Sequence, residues 1–273
     1  MSDQTPQNPL GRITASAEHY SPELLYPIPR QQGRQLLPIA SYPGASLGED
    51  VWHLWELSWL GPQGLPQARV GRLHIPATSA NLVESKSLKL YLNSLNMTVF
   101  DSDEELVATV CTDVAAVVGS PVRLHLLGLD DSALAVRALP GENIDMHVPE
   151  ATPAIPDAGL LRAGDAVQEQ VYHSHLLRSL CPVTAQPDWA SVIIRLRGRA
   201  LAPASLLAYL LGFRQHQEFH EQCVERMFCD LSAACETTQL SVQALYCRRG
   251  GLDINPWRCS QASAAPLLRC ARQ

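Results

Sequence analysis

Residues Val51 to Ala77 read VWHLWELSWLGPQGLPQARVGRLHIPA, and the period assigned to this stretch decides the fold. Trp52, Trp55 and Trp59 are spaced so that they also suit one face of a helix. Gly61-Pro62-Gln63-Gly64 is a turn signal, however, and the arm beyond it carries the β-branched residues of an extended chain. The stretch is therefore expected to form two strands joined as a hairpin.

Downstream, ESKSLKLYLNSLN (Glu84 to Asn96) places Leu88, Leu92 and Leu95 at i, i+4 and i+7, so they share one buried helical face while Lys86, Lys89 and Asn93 point elsewhere. In DSDEELVATVCTDVAAVVG, Asp101 or Ser102 is placed to cap a second helix. Its first turn is acidic, as the helix dipole prefers, and it stops at Gly119. The strand PVRLHLLGL follows, with a further short strand expected near Ile144 to Val148. PEATPAIPDAG (149–159) then breaks the pattern. Upstream, residues 1–45 hold scattered prolines and glycines and suit an arm lying along a surface or an interface.

The second half offers a helix ending near SHLLRSL, a β-rich ASVIIRLRG, a long helical region from Ala204 to Cys235, and a β-rich SVQALYCRRG. A repeated succession of elements implies a duplicated α+β unit, each an antiparallel sheet with its helices on one face. The expected division is an arm at 1–45, a first unit at 46–150, a linker at 151–165 and a second unit at 166–273.

The chain has 273 residues, 46% of them hydrophobic, which is enough for a sizeable core. Its net charge of −6 argues against nucleic acid as the main partner, because backbone binding needs a basic stripe for counterion release. A small-molecule partner is favoured. No apolar run is long enough to span a bilayer and the start lacks a signal pattern, so no membrane partner and a cytoplasmic location are expected. Eight cysteines are present without a C-x-x-C pair, which suits free thiols in a reducing compartment.

Four islands carry candidate chemistry. In CPVTAQPDW, Cys181 supplies a nucleophile and Asp188 a proton donor, although a lone cysteine is more often a small core residue and Pro-Asp a common turn. In RQHQEFHEQCVERMF, His216 and His220 have the i, i+4 spacing of a two-histidine metal site. H-x-E-x-H matches no zinc motif and no third ligand is in view, so no metal is expected. His220 and Glu221 read better as hydrogen-bonding groups, since a carboxylate accepts two parallel N–H bonds from a guanine-like edge. In YCRRGGLDINPWR, Arg248-Arg249 before two glycines suits a phosphate as well as a plain charged turn. Ser85 and Lys86 also suit a phosphate, yet neither a Rossmann nor a P-loop glycine motif occurs.

In this order and over nearly the whole chain, ESKSLKLYLNSLN, CPVTAQPDW, EFHEQCVER and RRGGLDINPWR resemble the NADPH-dependent 7-cyano-7-deazaguanine reductases, the nitrile reductases of queuosine biosynthesis. E-S-K-S-x-K-x-Y is that family's signature, and the placement of the cysteine in the second half is similar to its long branch. The resemblance implies tandem tunnelling-fold (T-fold) units, each an antiparallel sheet with two helices, and a homodimer, because such sheets close by association. It implies that Val83, Glu84 and Ser85 contact the deazaguanine, with His220 and Glu221, and that Ser85, Lys86, Arg249 and Gly250 contact NADPH. Cys181 resembles the nucleophile and Asp188 the proton donor. Leu180 and Ala185 depart from the more polar residues of relatives.

The implied reaction is a four-electron reduction of a nitrile to a primary amine. Adding a thiolate to the nitrile carbon gives a thioimide, a better hydride acceptor; one hydride then leads to an imine and a second NADPH to the amine. Two other readings compete. Another T-fold purine or pteridine enzyme, amidine-forming or cyclohydrolase-like, has no need of ESKSLK with RRGG, and a non-catalytic T-fold binding module has no need of Cys181 and Asp188.

Overall fold

In the computed structural model residues 19–149 and 151–273 are described. The first 18 residues of the expected arm, and Glu150 in the proline-rich break, lie outside them. In chain order the elements are strand Pro27–Pro29 (β1), a helical turn Arg30–Arg34 (α1), strands Gly48–Leu60 (β2), Pro66–Pro76 (β3) and Asn81–Val83 (β4), helices Ser85–Ser94 (α2) and Asp103–Val118 (α3), and strand Arg123–Leu127 (β5). Then come strands Glu142–Asn143 (β6), Ala163–Leu180 (β7) and Pro187–Leu201 (β8), helices Pro203–Leu211 (α4) and His220–Cys235 (α5), and strands Gln239–Tyr246 (β9) and Leu252–Cys259 (β10).

Two compact units result. Among the described residues, one comprises those up to Gln32, Val51–Ala135 and Arg248–Asp253; the other comprises Gly33–Asp50, Val136–Cys247 and Ile254–Gln273. These units are discontinuous in sequence and differ from the sequential division at 46–150 and 166–273, because β2 and β10 each give residues to both.

In the first unit the expected hairpin forms. β3 lies between β2 and β5, and Gly61 and Gly64 close the turn, Gly64 in the left-handed region at φ 74°. β3 and β5 run antiparallel from Val70↔Leu127 to His74↔Arg123. β1 pairs antiparallel with β4, so part of the expected arm is a strand partner of the segment that leads into α2. On α2, Leu88, Leu92 and Leu95 are all buried, as their spacing predicts. Ser102, rather than Asp101, caps α3: its Oγ accepts from Glu105 N at 3.1 Å. The helix ends at Gly119 with φ 71°, and its buried face repeats every fourth residue at Leu106, Val110, Val114 and Val118.

In the second unit three expectations are corrected. The segment ending at SHLLRSL is not a helix but the second half of β7, paired antiparallel with β8 from Ala163↔Leu201 to Leu180↔Pro187. A register shift between Ser174 and Leu177 marks a bulge there, which breaks the period of two that a strand shows in sequence. The helical region 204–235 is two helices, with a 3-10 turn Gly212–Gln215 and an extended stretch His216–Phe219 between them. The short strand is Glu142–Asn143 rather than 144–148, and it pairs in parallel with Tyr172 and His173. β10 was not expected, since Pro256 within LDINPWR argues against a paired strand; Trp257 to Cys259 nonetheless pair antiparallel with β9. With β7 restored, the first half runs β2, β3, β4, α2, α3, β5 and the second β7, β8, α4, α5, β9, β10, so in each a pair of helices sits between antiparallel strands, an α+β order matching the tandem T-fold expectation.

The second unit also buries an ion network. Arg258 is fully buried and reaches Asp50 at 2.8 Å and Glu225 at 3.0 Å, and Glu225 takes Arg34 at 2.7 Å. Each charge thus has its counter-charge within the unit, without which burial would be prohibitive.

Candidate functional site

Cys181 and Asp188 are placed by one hairpin in the second unit. Cys181 follows the last residue of β7, and Asp188 is the second residue of β8, paired with Ser179. Between them the chain turns tightly: Cys181 N–H donates to Gln186 O at 2.9 Å, and Ala185 N–H to Cys181 O at 3.0 Å. Ala185, one of the departures noted in the sequence, sits at φ 56°, a left-handed conformation that costs an alanine roughly 1–2 kcal/mol. Strain is thus stored beside the thiol. Both Cys181 and Asp188 are buried.

His220 and Glu221 reach this hairpin because of a backbone strap. Leu180 N–H donates to His216 O at 2.8 Å and Glu218 N–H to Leu180 O at 3.2 Å, which ties the chain before α5 to the residue preceding Cys181. Glu218 itself is buried and held by His216 at 3.0 Å and Arg226 at 2.7 Å. Burial acts to raise its carboxyl, but His216 and Arg226 outweigh that and hold it below the ordinary range. The strap delivers His220 to the first residue of α5, where its Nε2 lies 3.1 Å from Asp188 Oδ2. His220 Nε2 makes no hydrogen bond along that line, so the contact is one of proximity. Glu221 is buried in the first turn of the same helix, where the dipole favours a carboxylate.

The strand registers gather further groups under α5 that sequence reasoning did not assign. Ser179 faces Asp188, and Tyr246 on β9 faces Ala190, two residues along from Asp188, so all share one face of the sheet. The Tyr246 ring lies 4.0 Å from that of His220. Burial pushes the Tyr246 hydroxyl well above its ordinary pKa. It pushes the Cys223 thiol up likewise, with the Glu218 charge adding to it. Cys223 is therefore a protonated, inert neighbour of the site.

The first unit holds the ESKSLK and RRGG residues. Val83 is buried at the end of β4, opposite Pro27. Glu84 is the N-cap of α2, its carboxylate accepting from Lys86 N at 2.8 Å and Ser87 N at 2.7 Å. Ser85 and Lys86 occupy the exposed side of that first turn, both half-buried. Arg249 and Leu252 form a narrow antiparallel bridge around Gly250 and Gly251. Both glycines have positive φ, 62° and 84°, as a two-residue hairpin turn of type I′ requires. A Cβ at residue 250 would meet Lys89 Nζ at 2.9 Å. The ammonium of Lys89 thus lies over the turn, and this lysine, the second of the ESKSLK motif, joins Arg248 and Arg249 as a third cation there. The cations and the bare backbone of the turn fit a phosphate-bearing cofactor.

The two-histidine spacing does not survive folding, because His216 precedes α5 and turns to Glu218 while His220 turns to Asp188. Of the predicted residues, Cys181, Asp188, His220 and Glu221 gather in the second unit. Val83, Glu84, Ser85, Lys86, Arg249 and Gly250 belong to the first.

A family described as "Nitrile reductase, 7-cyano-7-deazaguanine-reductase N-term" matches residues 16–126, and one described as "QueF-like protein" matches residues 187–265, so Cys181 lies between the two stretches. The NADPH-dependent 7-cyano-7-deazaguanine reductase of Chromohalobacter salexigens is 50% identical over 269 residues, covering 97% of this chain and 96% of that one. The protein of that name from Acinetobacter baumannii strain AYE is 46% identical over 271 residues, 98% of each chain. The apo crystal structure of the archaeosine synthase QueF-Like aligns with 38% of this chain and 99% of its own at 15% identity and a TM-score of 0.31, a likeness too slight to argue from. With half its residues shared over nearly its full length, the chain belongs to the family of NADPH-dependent 7-cyano-7-deazaguanine reductases.

Proposed function

We propose that this chain reduces the nitrile of 7-cyano-7-deazaguanine to the primary amine with NADPH, through a thioimide on Cys181, as a step toward the queuosine modification of tRNA. The observation that carries the reading is the hairpin that sets Cys181 and Asp188 on either side of one tight turn, with His220 3.1 Å from the carboxylate. In this reading the Cys181 sulfur adds to the nitrile carbon as its proton leaves, and Asp188 exchanges protons with the thiol and the nitrile nitrogen. His220 and Glu221 hold the polar edge of the deazaguanine, with Val83, Glu84 and Ser85 as further contacts. Ser85, Lys86, Arg249 and Gly250 hold the phosphates of NADPH, which supplies one hydride at each of two reduction steps.

A homodimer in the cytoplasm accompanies this reading. β6 pairs with β7 only at Tyr172 and His173, so the β7 edge before Val171 is of the kind a second copy covers. All eight cysteines are free thiols, which supports a reducing compartment. Among the described residues no helix is long and apolar enough to cross a membrane. A net charge of −6 supports a small-molecule partner over nucleic acid.

The test is to mix 7-cyano-7-deazaguanine with the protein without NADPH. A species absorbing in the near ultraviolet and carrying the added mass of the substrate is expected, and Cys181→Ala is expected to abolish it. An adduct that survives in that variant, or maps to Cys223, removes Cys181 as the nucleophile.

A further inference from the structure

The Arg248–Asp253 turn is held in place by one side chain of β2. Trp55 N–H donates to Gly251 O at 2.9 Å, and its indole Nε1–H donates to Asp253 Oδ2 at 2.5 Å. The Arg248 guanidinium lies 4.8 Å from the centre of the indole system, within cation–π range. A single residue thereby grips the turn before, within and after its two glycines.

The grip is itself anchored. The other oxygen of Asp253 lies 2.8 Å from His53 Nδ1, and Arg72 Nε donates to His53 Nε2 at 3.3 Å. An arginine only donates, so His53 Nε2 accepts and its proton sits on Nδ1, facing the carboxylate. Trp55, His53, Arg72 and Asp253 are all buried, where a satisfied polar network is rigid and fixes one geometry. Arg248 and Arg249 are exposed at the end of this anchored segment. Adjacent residues of an extended chain point to opposite sides, so fixing Arg248 on the ring also fixes the direction of Arg249.

We propose that Trp55 is a positioning residue for the cofactor, presenting Arg249 by locking the two-glycine turn. This rests on the reading of Arg249 and Gly250 as NADPH-binding groups. Two conformationally free glycines let a cofactor approach the backbone, but they leave the turn without stiffness of its own. The stiffness has to come from outside the turn, and the contacts of Trp55 supply it.

Trp55→Phe keeps an aromatic face and the backbone donor but loses the indole N–H, and Trp55→Leu loses both side-chain contacts. The apparent KM for NADPH is expected to rise about threefold in the first and about tenfold or more in the second, the sizes of one and of two lost weak contacts. Thioimide formation without NADPH should run at the parental rate in both, a split that a general loss of folding would not give. Should Trp55→Leu not fold, Arg248→Gln at the exposed end of the same contact is expected to raise that KM about threefold. Arg249→Ala is the reference. If it raises KM for NADPH while the Trp55 variants and Arg248→Gln do not, the positioning role is wrong and the reading of the turn stands. If Arg249→Ala changes nothing, the turn does not bind the cofactor, and both fall. Adduct formation that declines in step with KM in the Trp55 variants also overturns the proposal.

Discussion

Replacing Glu84 with alanine separates two roles that the ESKSLK motif combines. The carboxylate caps α2 through Lys86 N at 2.8 Å and Ser87 N at 2.7 Å, and the residue is only 2% exposed, so solvent does not screen these bonds. Loss of an N-cap costs about 1 kcal/mol, and loss of a negative charge at a partly buried helix N-terminus up to about 2 kcal/mol more. A total of about 2–3 kcal/mol is expected for Glu84→Ala, read as a lower urea midpoint with an unchanged slope. Glu84→Gln keeps an acceptor and loses the charge, so it should fall about halfway. Activity divides differently. Ser85 and Lys86 are the residues that the cap holds in place, so freeing the first turn should raise KM for NADPH; a further loss of substrate affinity in Glu84→Gln, where the cap is half kept, would mark a direct contact with the deazaguanine. An unchanged urea midpoint in Glu84→Ala would refute the capping argument outright.

Two further predictions come from the second unit. Arg258→Ala removes the guanidinium that Asp50 and Glu225 share in a fully buried site, and a loss of about 3–5 kcal/mol in urea unfolding is expected; a loss below about 1 kcal/mol would mean that the two carboxylates are held well enough by other groups. Glu218 has a carboxyl held below its ordinary pKa by His216 and Arg226, so its contribution is present above the unfolded value of about 4.3 and is lost as pH falls through the lower folded value. The gap in stability between the parent and Glu218→Gln should therefore be full at neutral pH and shrink below about pH 4, and a gap that does not change between pH 7 and pH 3 would contradict this.

What the sequence discloses depends on whether the signal is local. The Gly61–Gly64 turn, the Ser102 cap and the Gly119 stop are each decided within a few residues, and each is found where spacing and residue type put it. The reading fails where a long-range pairing overrides a local period: β7 carries a bulge at His175–Leu176 that interrupts the strand alternation, and only its pairing with β8 reveals the strand. β10 fails for the related reason that a proline hides a strand whose pairing is set by β9. The site divides in the same way. Cys181, Asp188, His220 and Glu221 lie in short motifs, whereas Tyr246 and Trp55 act through registers and contacts that join distant parts of the chain. Lys89 was within reach, since it is the second lysine of the signature.

The distribution of these groups between the units has a kinetic consequence. Cys181, Asp188 and His220 are all placed by β7, β8 and α5 of the second unit; the cations, the two-glycine turn and its tryptophan are all placed by the first. Covalent addition needs the sulfur, a proton acceptor and the bound substrate, while hydride transfer needs the cofactor as well. Substitutions in the second-unit set should therefore slow adduct formation and everything after it. Those at Lys86, Arg249 or Trp55 should spare the adduct and let it accumulate, because its consumption is the step they impair. The thioimide absorbance would then persist longer at a fixed NADPH concentration in the first-unit variants than in the parent, and adding more NADPH should abolish the difference. A first-unit variant that forms no adduct would show that its residue also supports the substrate pocket or the thiol.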